Sequence, residues 1–269
     1  MYRLLAIDLD GTLLSPQHVV TARTREAIRK AIAAGLSLVM ATGNRLNVLQ
    51  AACRGLPLSG PQIVYNGAII ADIQSGAVLH EHLVPEECIL PALDTLRDLH
   101  LYRGYHTHQH VYVDNNTPNA RNWYRPPVPP VIEVTDVVSL YPQPCLKLAA
   151  VGAPGTLREK RMKLEELFAG QLYVTQTSRD LLELLHPAVS KDNALRIITN
   201  MLGVEPEEVV AFGDNHNDIG MLRFAGLGIA MGHAHDEVKA AADYVTLSNA
   251  EDGVAAAIEG VVLSQGSTN

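Results

Sequence analysis

The sequence predicts an α/β fold in which a doubly wound core of parallel strands carries an inserted α+β domain. Short apolar runs alternate with amphipathic stretches near both ends of the chain, as strands and helices alternate in such a core. Two of these runs, 36–42 and 208–214, end in a small or acidic residue, which is typical of buried parallel strands. The pattern changes at 102–187, where several candidate strands cluster and indicate a separate unit.

The first segment opens with a strand at 3–9, an apolar run of the length expected for a buried strand. An amphipathic helix follows at 21–34, where apolar residues recur at helical spacing and Gly35 marks the end. The next predicted elements are a strand at 36–41, a helix near 45–53 and a strand at 63–65. Together they predict the first half of the doubly wound, Rossmann-like sheet.

Residues 72–82 alternate around Ser75-Gly76 and predict a hairpin, after which Pro85 opens a helix at about 85–100. The inserted domain then has candidate strands at 102–108, 110–114, 145–151, 172–177 and 181–185, with a helix at about 155–169. Its RPPVPP segment, 125–130, is predicted to be an irregular connection, because proline removes ladder donors and fixes φ.

These elements divide the chain into a first core segment at 1–84, an inserted domain at 85–187 and a second core segment at 188–269. We expect hinges near 83–85 and 186–189. The second core segment begins with a helix that Lys191 opens, with Ser190 as its N-cap. It ends near residue 263, and the SQGSTN tail is expected to fray.

The composition limits the classes of function. The chain has 269 residues, of which 47% are hydrophobic, so it can bury one large or two medium cores. A net charge of −8 argues against nucleic acid or an anionic membrane as partner, since either needs clustered Lys and Arg. The three cysteines lack C-x-x-C spacing and are expected to be reduced thiols in the cytoplasm. We expect no membrane helix, no signal peptide, and a monomer or weak homo-oligomer.

The most informative motif is DLDGTLL at 8–14, where two carboxylates end an apolar run and a glycine follows. If the strand ends here, the side chains of Asp8 and Asp10 project from the end of the strand at the edge of the sheet, and Gly11-Thr12 supplies the turn. One carboxylate can attack an electrophile or bind a hard cation while the other moves a proton.

Three further motifs complete a candidate site, namely Thr42 in MATGN, Lys191 in SKDNAL, and Asp214 with Asp218 in GDNHNDIGML. Ligands of an open α/β sheet bind beyond the carboxyl ends of its strands, so these distant motifs can converge there. Carboxylates of Asp8 and Asp214 and the backbone carbonyl of Asp10 could supply oxygens to a hard cation such as Mg²⁺.

In order and chemistry, these motifs resemble the signature of the haloacid dehalogenase superfamily of phosphohydrolases. Further stretches are similar to its Cof-type branch, which has a large inserted cap. They are Asn66-Gly67, AMGHA at 230–234, AADYVT at 241–246 and NAEDG at 249–253. The resemblance covers essentially the whole chain and implies a Mg²⁺-dependent phosphatase with a Rossmann-like core and an α+β cap.

The resemblance also implies roles for individual residues. Asp8 would attack phosphorus to form an aspartyl-phosphate, while Asp10 protonates the leaving oxygen and then activates water. The implied metal ligands are Asp8, Asp10, Asp214 and Asp218, although Asp218 could instead orient metal-bound waters and Lys191. The residues expected to hold phosphate are Thr42, Gly43, Lys191 and Asn217. The candidate substrate or cap contacts are Asn66 and His108.

Two residues depart from the family pattern. The branch usually carries an arginine directly after the Thr-Gly of the second motif, but here Asn44 takes that place and Arg45 follows. His233 stands where asparagine is usual, and it is either a hydrogen-bond donor at the rim of the site or a simple loop histidine.

His106, His108 and His110 alternate, so they would share one face of an extended segment. They could bind a second metal, contact substrate from the cap, or belong to a plain solvated strand. Trp123 and the nearby tyrosines are interpreted as packing within the cap.

The function most consistent with these motifs is a phosphatase of small phosphorylated metabolites, such as sugar phosphates or cofactor phosphates. A non-catalytic sensor of a phosphorylated metabolite would fit better if Asp8 or Asp10 were replaced, and both are present. A phosphomutase of the same superfamily is also compatible with the motifs. Specificity would depend on cap residues, so the sequence does not identify the substrate.

Overall fold

The computed structural model describes residues 1–115, 117, 131–153, 155–176 and 179–264. The chain divides into two compact units, which we call the core unit (residues 1–81 and from 190 onward) and the inserted unit (residues 82–189). Each unit has its own sheet and its own hydrophobic core. The structure thus confirms the predicted α/β class.

The strands of the described residues are β1 (Leu4–Asp8), β2 (Ser37–Ala41), β3 (Pro61–Val64), β4 (Ile69–Asp72), β5 (Val78–Glu81), β6 (Tyr102–His106), β7 (Val111–Asp114), β8 (Val131–Val134), β9 (Lys147–Val151), β10 (Tyr173–Gln176), β11 (Leu181–Leu185), β12 (Val209–Gly213), β13 (Leu227–Ala230) and β14 (Tyr244–Val245). Their α-helices are α1 (Ala22–Ala33), α2 (Leu46–Ala52), α3 (Glu86–Asp98), α4 (Leu157–Leu167), α5 (Lys191–Leu202), α6 (Ile219–Phe224), α7 (Asp236–Lys239) and α8 (Gly253–Ala257).

The sheet of the core unit has the order β14-β13-β12-β1-β2-β3-β4-β5. Neighbouring strands are parallel from β14 to β3, and β3, β4 and β5 are antiparallel. The chain builds outward from β1 through β2 and β3, then returns to the other side of β1 as β12. The connections after β1 and β12 therefore leave the same edge of the sheet, where doubly wound proteins bind ligands.

Helix α5 begins where the sequence predicts, because the Ser190 side chain accepts a hydrogen bond from the backbone N–H of Asn193. It ends at Gly203, which adopts the left-handed conformation with φ of +60°. Its buried face, which includes Leu195 and Ile198, packs in the core cluster with residues of β1 and β12. This packing fixes the first residue of the helix, Lys191.

The inserted unit has a six-stranded sheet of order β10-β11-β9-β6-β7-β8. Neighbouring strands in this sheet are antiparallel, except for β7 and β8, which are parallel. Residues of α3 and α4 pack with one face of this sheet, and Tyr105 is fully buried among them. Tyr112 packs against the same cluster, as expected, whereas Trp123 and the RPPVPP segment lie outside the described residues.

The hairpin predicted at 72–82 is displaced. Its turn follows Asp72, but its first strand is β4, because Ile69 and Ile70 are buried and pair with β3. Strands β8, β13 and β14 were not predicted. Their sequences are short, and β13 contains a glycine, so none carries a strong strand pattern.

The prediction that three alternating histidines share one strand face is wrong. Strand β6 ends at His106, and residues 107–110 turn into β7, with the backbone N–H of Thr107 donating to the carbonyl of His110. His106 is buried, His108 is exposed and His110 is half-buried. A turn interrupts the period of two on which the prediction rested.

The described cysteines Cys53, Cys88 and Cys145 are buried free thiols. Within the described ranges, no helix combines the length and the apolar character needed to cross a bilayer. Residues 265–269 of the predicted frayed tail are outside the described part of the chain.

Candidate active site

The structure brings Asp8, Lys191, Asp214 and Asp218 together at the carboxyl edge of the core sheet. Lys191 is only 2% exposed, and its Nζ donates to Asp8 Oδ1 and Asp218 Oδ1 at 2.6 Å each. One oxygen from each of the three carboxylates lies within 4.8 Å of the others. A buried ammonium thus joins the ends of β1, α5 and the connection after β12.

The turn after β1 is locked to Asp214. Gly11 has a φ of +86°, and a Cβ at this position would lie 2.4 Å from Asp214 Oδ2. The hydroxyl of the next residue, Thr12, donates to Asp214 Oδ1 at 2.8 Å. Gly11 therefore provides the left-handed turn and lets the backbone approach the Asp214 carboxylate, and Thr12 provides the hydrogen-bond donor.

Asp218 reaches the site through a short helical turn and not through a helix that begins at Asp214. Residues 216–218 form a short helical turn, and α6 begins only at Ile219. Asp218 Oδ2 accepts the backbone N–H groups of Asp214 and Asn215, at 3.1 and 3.0 Å. Its other oxygen holds Lys191, so the carboxylate ties the connection after β12 to α5.

Burial dominates the electrostatics of the site. Desolvation raises the pKa of Asp8 and of Asp214, and Asp218 adds repulsion to both. Burial alone would lower the pKa of Lys191, but the charges of Asp218 and Asp8 outweigh it and raise that pKa. Lys191 in turn favours the ionised form of Asp8.

Asp10 and Thr42 meet through Asn44. The Thr42 hydroxyl oxygen accepts the backbone N–H of Asn44 at 3.0 Å and its side-chain amide at 3.2 Å. The same amide nitrogen donates to Asp10 Oδ2 at 2.6 Å. Desolvation raises the pKa of Asp10, while the hydrogen bond from Asn44 opposes the rise.

Asn66 lies in the core unit beside residues predicted to hold phosphate. It has a left-handed backbone with φ of +57°, and its Oδ1 accepts a hydrogen bond from Asn217 Nδ2 at 3.1 Å. A Cβ on Gly43 would lie 3.0 Å from the same oxygen. Asn66, Asn217 and Gly43 thus form one contiguous group.

His233 Nε2 lies 3.7 Å from Asp214 Oδ2, so it occupies the rim of the carboxylate group. The interpretation of His233 as a rim residue is the one that this contact favours. His108 belongs to the inserted unit and is exposed, and its role as a substrate contact stays a prediction.

Sequence reasoning missed Thr12 and Asn44 as site residues. At Thr12 the sequence predicts only a turn, because Asp214, the partner of its hydroxyl, lies 202 residues further along the chain. Asn44 stands out in the sequence only as a departure from the family pattern. Its direct contact with Asp10 depends on how the connections after β1 and β2 approach each other, which no local pattern encodes.

The donor set fits a hard divalent cation. Asp8, Asp214 and Asp218 offer carboxylate oxygens, the ligand type that Mg²⁺ prefers, and their mutual repulsion calls for positive charge. The Asp10 carboxylate lies outside this group of three. Because both oxygens of Asp218 already accept hydrogen bonds from nitrogen, Asp8 and Asp214 have more oxygen sites left for a cation.

Comparisons with known proteins match the chain over most of its length. The chain matches the haloacid dehalogenase-like hydrolase family over residues 5–258. It is 33% identical to the 5-amino-6-(5-phospho-D-ribitylamino)uracil phosphatase YcsE of Bacillus subtilis, over 97% of this chain and 96% of that protein. It is 29% identical to the pyridoxal phosphate phosphatase YbhA of Escherichia coli, over 94% and 96%. A haloacid dehalogenase-like hydrolase from Bacteroides thetaiotaomicron has a similar crystal structure, with a TM-score of 0.83 at 31% identity, covering 96% of this chain and 99% of that chain.

Proposed function

Because this chain belongs to the haloacid dehalogenase-like hydrolase family, as its motifs predicted, we propose that it is a Mg²⁺-dependent phosphatase of small phosphorylated metabolites. The observation that carries the proposal is the buried Lys191 ammonium between Asp8 and Asp218, with Asp214 beside them. This arrangement provides a nucleophile, a cation for the phosphoryl group and a carboxylate set for a metal.

Asp8 is the proposed nucleophile. Lys191 donates to its Oδ1, which leaves Oδ2 to attack phosphorus. The attack forms a bond between Oδ2 and phosphorus and breaks the bond between phosphorus and the leaving oxygen. Burial raises the pKa of Asp8, and Lys191 opposes that rise by favouring the ionised carboxylate, which is the form that attacks.

Asp10 is the proposed acid and base. It gives a proton to the leaving oxygen as the first bond breaks, and it then takes a proton from the water that attacks the aspartyl-phosphate. Such a proton transfer contributes about 10²–10⁴-fold to the rate. Asp10 keeps an exposed surface although its neighbours partly desolvate the carboxyl group, which suits a group that must reach both a leaving group and water.

Thr42 and Lys191 are proposed to hold phosphoryl oxygens. An ammonium has three N–H donors, and the two carboxylates use two of them, so one is left for phosphate. The Thr42 oxygen accepts from Asn44, so its own hydrogen is left to donate. Gly43 and Asn217 adjoin this position and complete the proposed cradle. Donors fixed in advance stabilise charge that develops on these oxygens.

Mg²⁺ would be held by Asp8 and Asp214, with the backbone carbonyl of Asp10 as a further ligand. When bound, it would neutralise repulsion between the carboxylates and the phosphate and polarise a phosphoryl oxygen. Thr12 orients Asp214, and Asp218 holds Lys191 and the connection after β12. We therefore assign Asp218 to orientation of the site, the second of its two predicted roles.

The proposed substrates are small metabolites with one accessible phosphate. The named relatives act on a phosphorylated ribitylaminouracil and on pyridoxal phosphate. Both molecules are compact phosphate esters. In the proposed site, Asp8, Thr42 and Lys191 contact only the phosphoryl group, so they do not select the rest of the ester.

Turnover of 4-nitrophenyl phosphate by the purified protein tests the proposal. We expect release of nitrophenol that requires Mg²⁺ and is lost in Asp8→Asn. A panel of sugar and cofactor phosphates, assayed for inorganic phosphate, then separates hydrolysis from phosphoryl transfer within one substrate. Binding of such esters without turnover, or full activity after exhaustive chelation, would contradict the proposal.

A further inference from the structure

We infer that Asn44 is a positioning residue that determines which oxygen of Asp10 carries the catalytic proton. The inference rests on the proposed function and adds a residue to it. Asn44 Nδ2 donates to Asp10 Oδ2 at 2.6 Å, and this is a short bond between an amide and a carboxylate.

Asn44 is itself held at three points. Its backbone N–H and its side-chain amide both donate to the Thr42 hydroxyl oxygen, at 3.0 and 3.2 Å. Its backbone carbonyl accepts the N–H of Tyr65 at 3.0 Å. Contacts with the connection after β2 and with the end of β3 therefore hold Asn44 in place independently of Asp10. The fixed amide in turn restricts the orientation of the Asp10 carboxylate.

The direction of the hydrogen bond follows from chemistry. An ionised carboxylate can only accept, so the NH₂ end of the amide faces Asp10. The same nitrogen also donates to the Thr42 hydroxyl oxygen, and this second bond keeps the amide in that orientation when Asp10 is protonated. A proton on Oδ2 would meet the N–H of Asn44, whereas a proton on Oδ1 leaves Oδ2 free to go on accepting. Oδ1 accepts no hydrogen bond from any other residue that the structure describes.

The bond therefore selects one protonated form of Asp10. The proton sits on Oδ1 and moves to the leaving oxygen as that oxygen separates from phosphorus. Asp10 is then a carboxylate still held by Asn44, and Oδ1 receives a proton from the attacking water. Asn44 contacts neither phosphorus nor the leaving group in this scheme, so it acts only through Asp10.

The test compares two esters that differ in their need for an acid. Phenolate is a poor leaving group that needs protonation, and 4-nitrophenolate leaves with little help. Since kcat/KM reports events up to cleavage of the ester, it isolates the first proton transfer. We expect Asn44→Leu to lower kcat/KM for phenyl phosphate about tenfold or more, and for 4-nitrophenyl phosphate less than about threefold.

Two further variants serve as a reference for the size of the loss and as a negative control. Asp10→Asn should show the same selectivity with a larger loss, and Asn47→Leu, an exposed asparagine three positions further along, should match the wild type on both esters. Circular dichroism and thermal melting confirm folding, and Asn44→Ala replaces Asn44→Leu if the latter does not fold.

Equal loss on both esters, or no loss, would overturn the inference while leaving the proposed function intact. If the wild type shows no turnover that depends on Asp8, the proposed function fails and the inference falls with it. Selective loss in Asn44→Leu with wild-type behaviour of Asn47→Leu would support both.

Discussion

At the scale of the residue, the site consists of carboxylates that repel one another and of donors that hold them. Asp8 and Asp218 share the Lys191 ammonium, while Thr12 holds Asp214. Hydrogen bonds to ionised groups are about twice as strong as neutral ones. These hydrogen bonds therefore hold the carboxylates close together in spite of their mutual repulsion.

The nucleophile gives the first prediction at this scale. Asp8→Asn keeps the shape of the side chain and can still accept from Lys191, but an amide cannot attack phosphorus. We expect kcat to fall well below about a tenth of wild type with an unchanged circular dichroism spectrum. Retention of more than that fraction in steady-state assays would rule out covalent catalysis by Asp8.

The second prediction concerns Thr12. Thr12→Val removes the donor to Asp214 at nearly constant volume. Loss of a residue that orients a metal ligand typically costs about 10–100-fold in metal affinity, so the Mg²⁺ concentration for half-maximal activity should rise about tenfold. Thr199→Val is the matched control, because Thr199 is also buried in the core unit but donates only to a helix carbonyl. The same response in both variants would show that Thr12 has no specific link to the metal.

Much of the residue set could be read from the sequence. Asp8 ends an apolar run, and Lys191 follows an N-cap residue, so each carries a local signal that locates it at an element boundary. Thr12 and Asn44 carry no such signal for their partners, because Asp214 and Asp10 meet them only through tertiary approach. Sequence patterns specify where a side chain leaves an element, but not what it touches.

At the scale of the element, the site depends on tight connections that leave buried parallel strands. Gly11 and Gly213 allow these connections to approach carboxylates, since a Cβ on either would lie 2.4 Å from an atom of Asp214 or Asp218, respectively. Atoms overlap at that distance, so either the aspartate or the glycine backbone would have to shift.

Gly11→Ala should therefore affect catalysis more than stability. The left-handed φ costs an alanine about 1–2 kcal/mol, and the new methyl group displaces Asp214. Gly76→Ala is the control, because Gly76 has a φ of +74° and no atom within 4 Å of an added Cβ. We expect urea unfolding to show destabilisation in both variants, while activity falls only in Gly11→Ala. Normal activity in Gly11→Ala would show that the site tolerates a shifted Asp214.

The elements that the sequence predicted well are long or strongly capped. The central strands and α5 have buried apolar faces and clear boundaries, and most predicted ends agree with the structure to within about two residues. The hairpin and strand β14 were displaced or missed, because two to four residues with mixed polarity carry little periodicity. Their pairing is imposed by neighbours in the sheet.

At the scale of the whole molecule, Mg²⁺ should stabilise the folded chain. A ligand that binds only the folded state at 100 times its Kd adds about 2.7 kcal/mol, which corresponds to a rise in Tm of roughly 5–10 °C. Asp214→Asn should abolish this rise, and its Tm without Mg²⁺ should equal or exceed that of wild type, because one repelling charge is gone. Thermal scans of both proteins with and without Mg²⁺ give the comparison. An equal response to Mg²⁺ in wild type and variant would place the cation elsewhere.

The pairing of β1 with both β2 and β12 has a consequence for synthesis on the ribosome. The inserted unit is contiguous in sequence, so it can fold as soon as it has emerged. One edge of β1 has no partner until Val209–Gly213 follows it, and such an edge is prone to aggregation. Asp8 likewise meets Lys191 and Asp214 only after the inserted unit has been synthesised. A nascent chain therefore has no complete site until these residues have emerged, and the open edge of β1 needs protection during that interval.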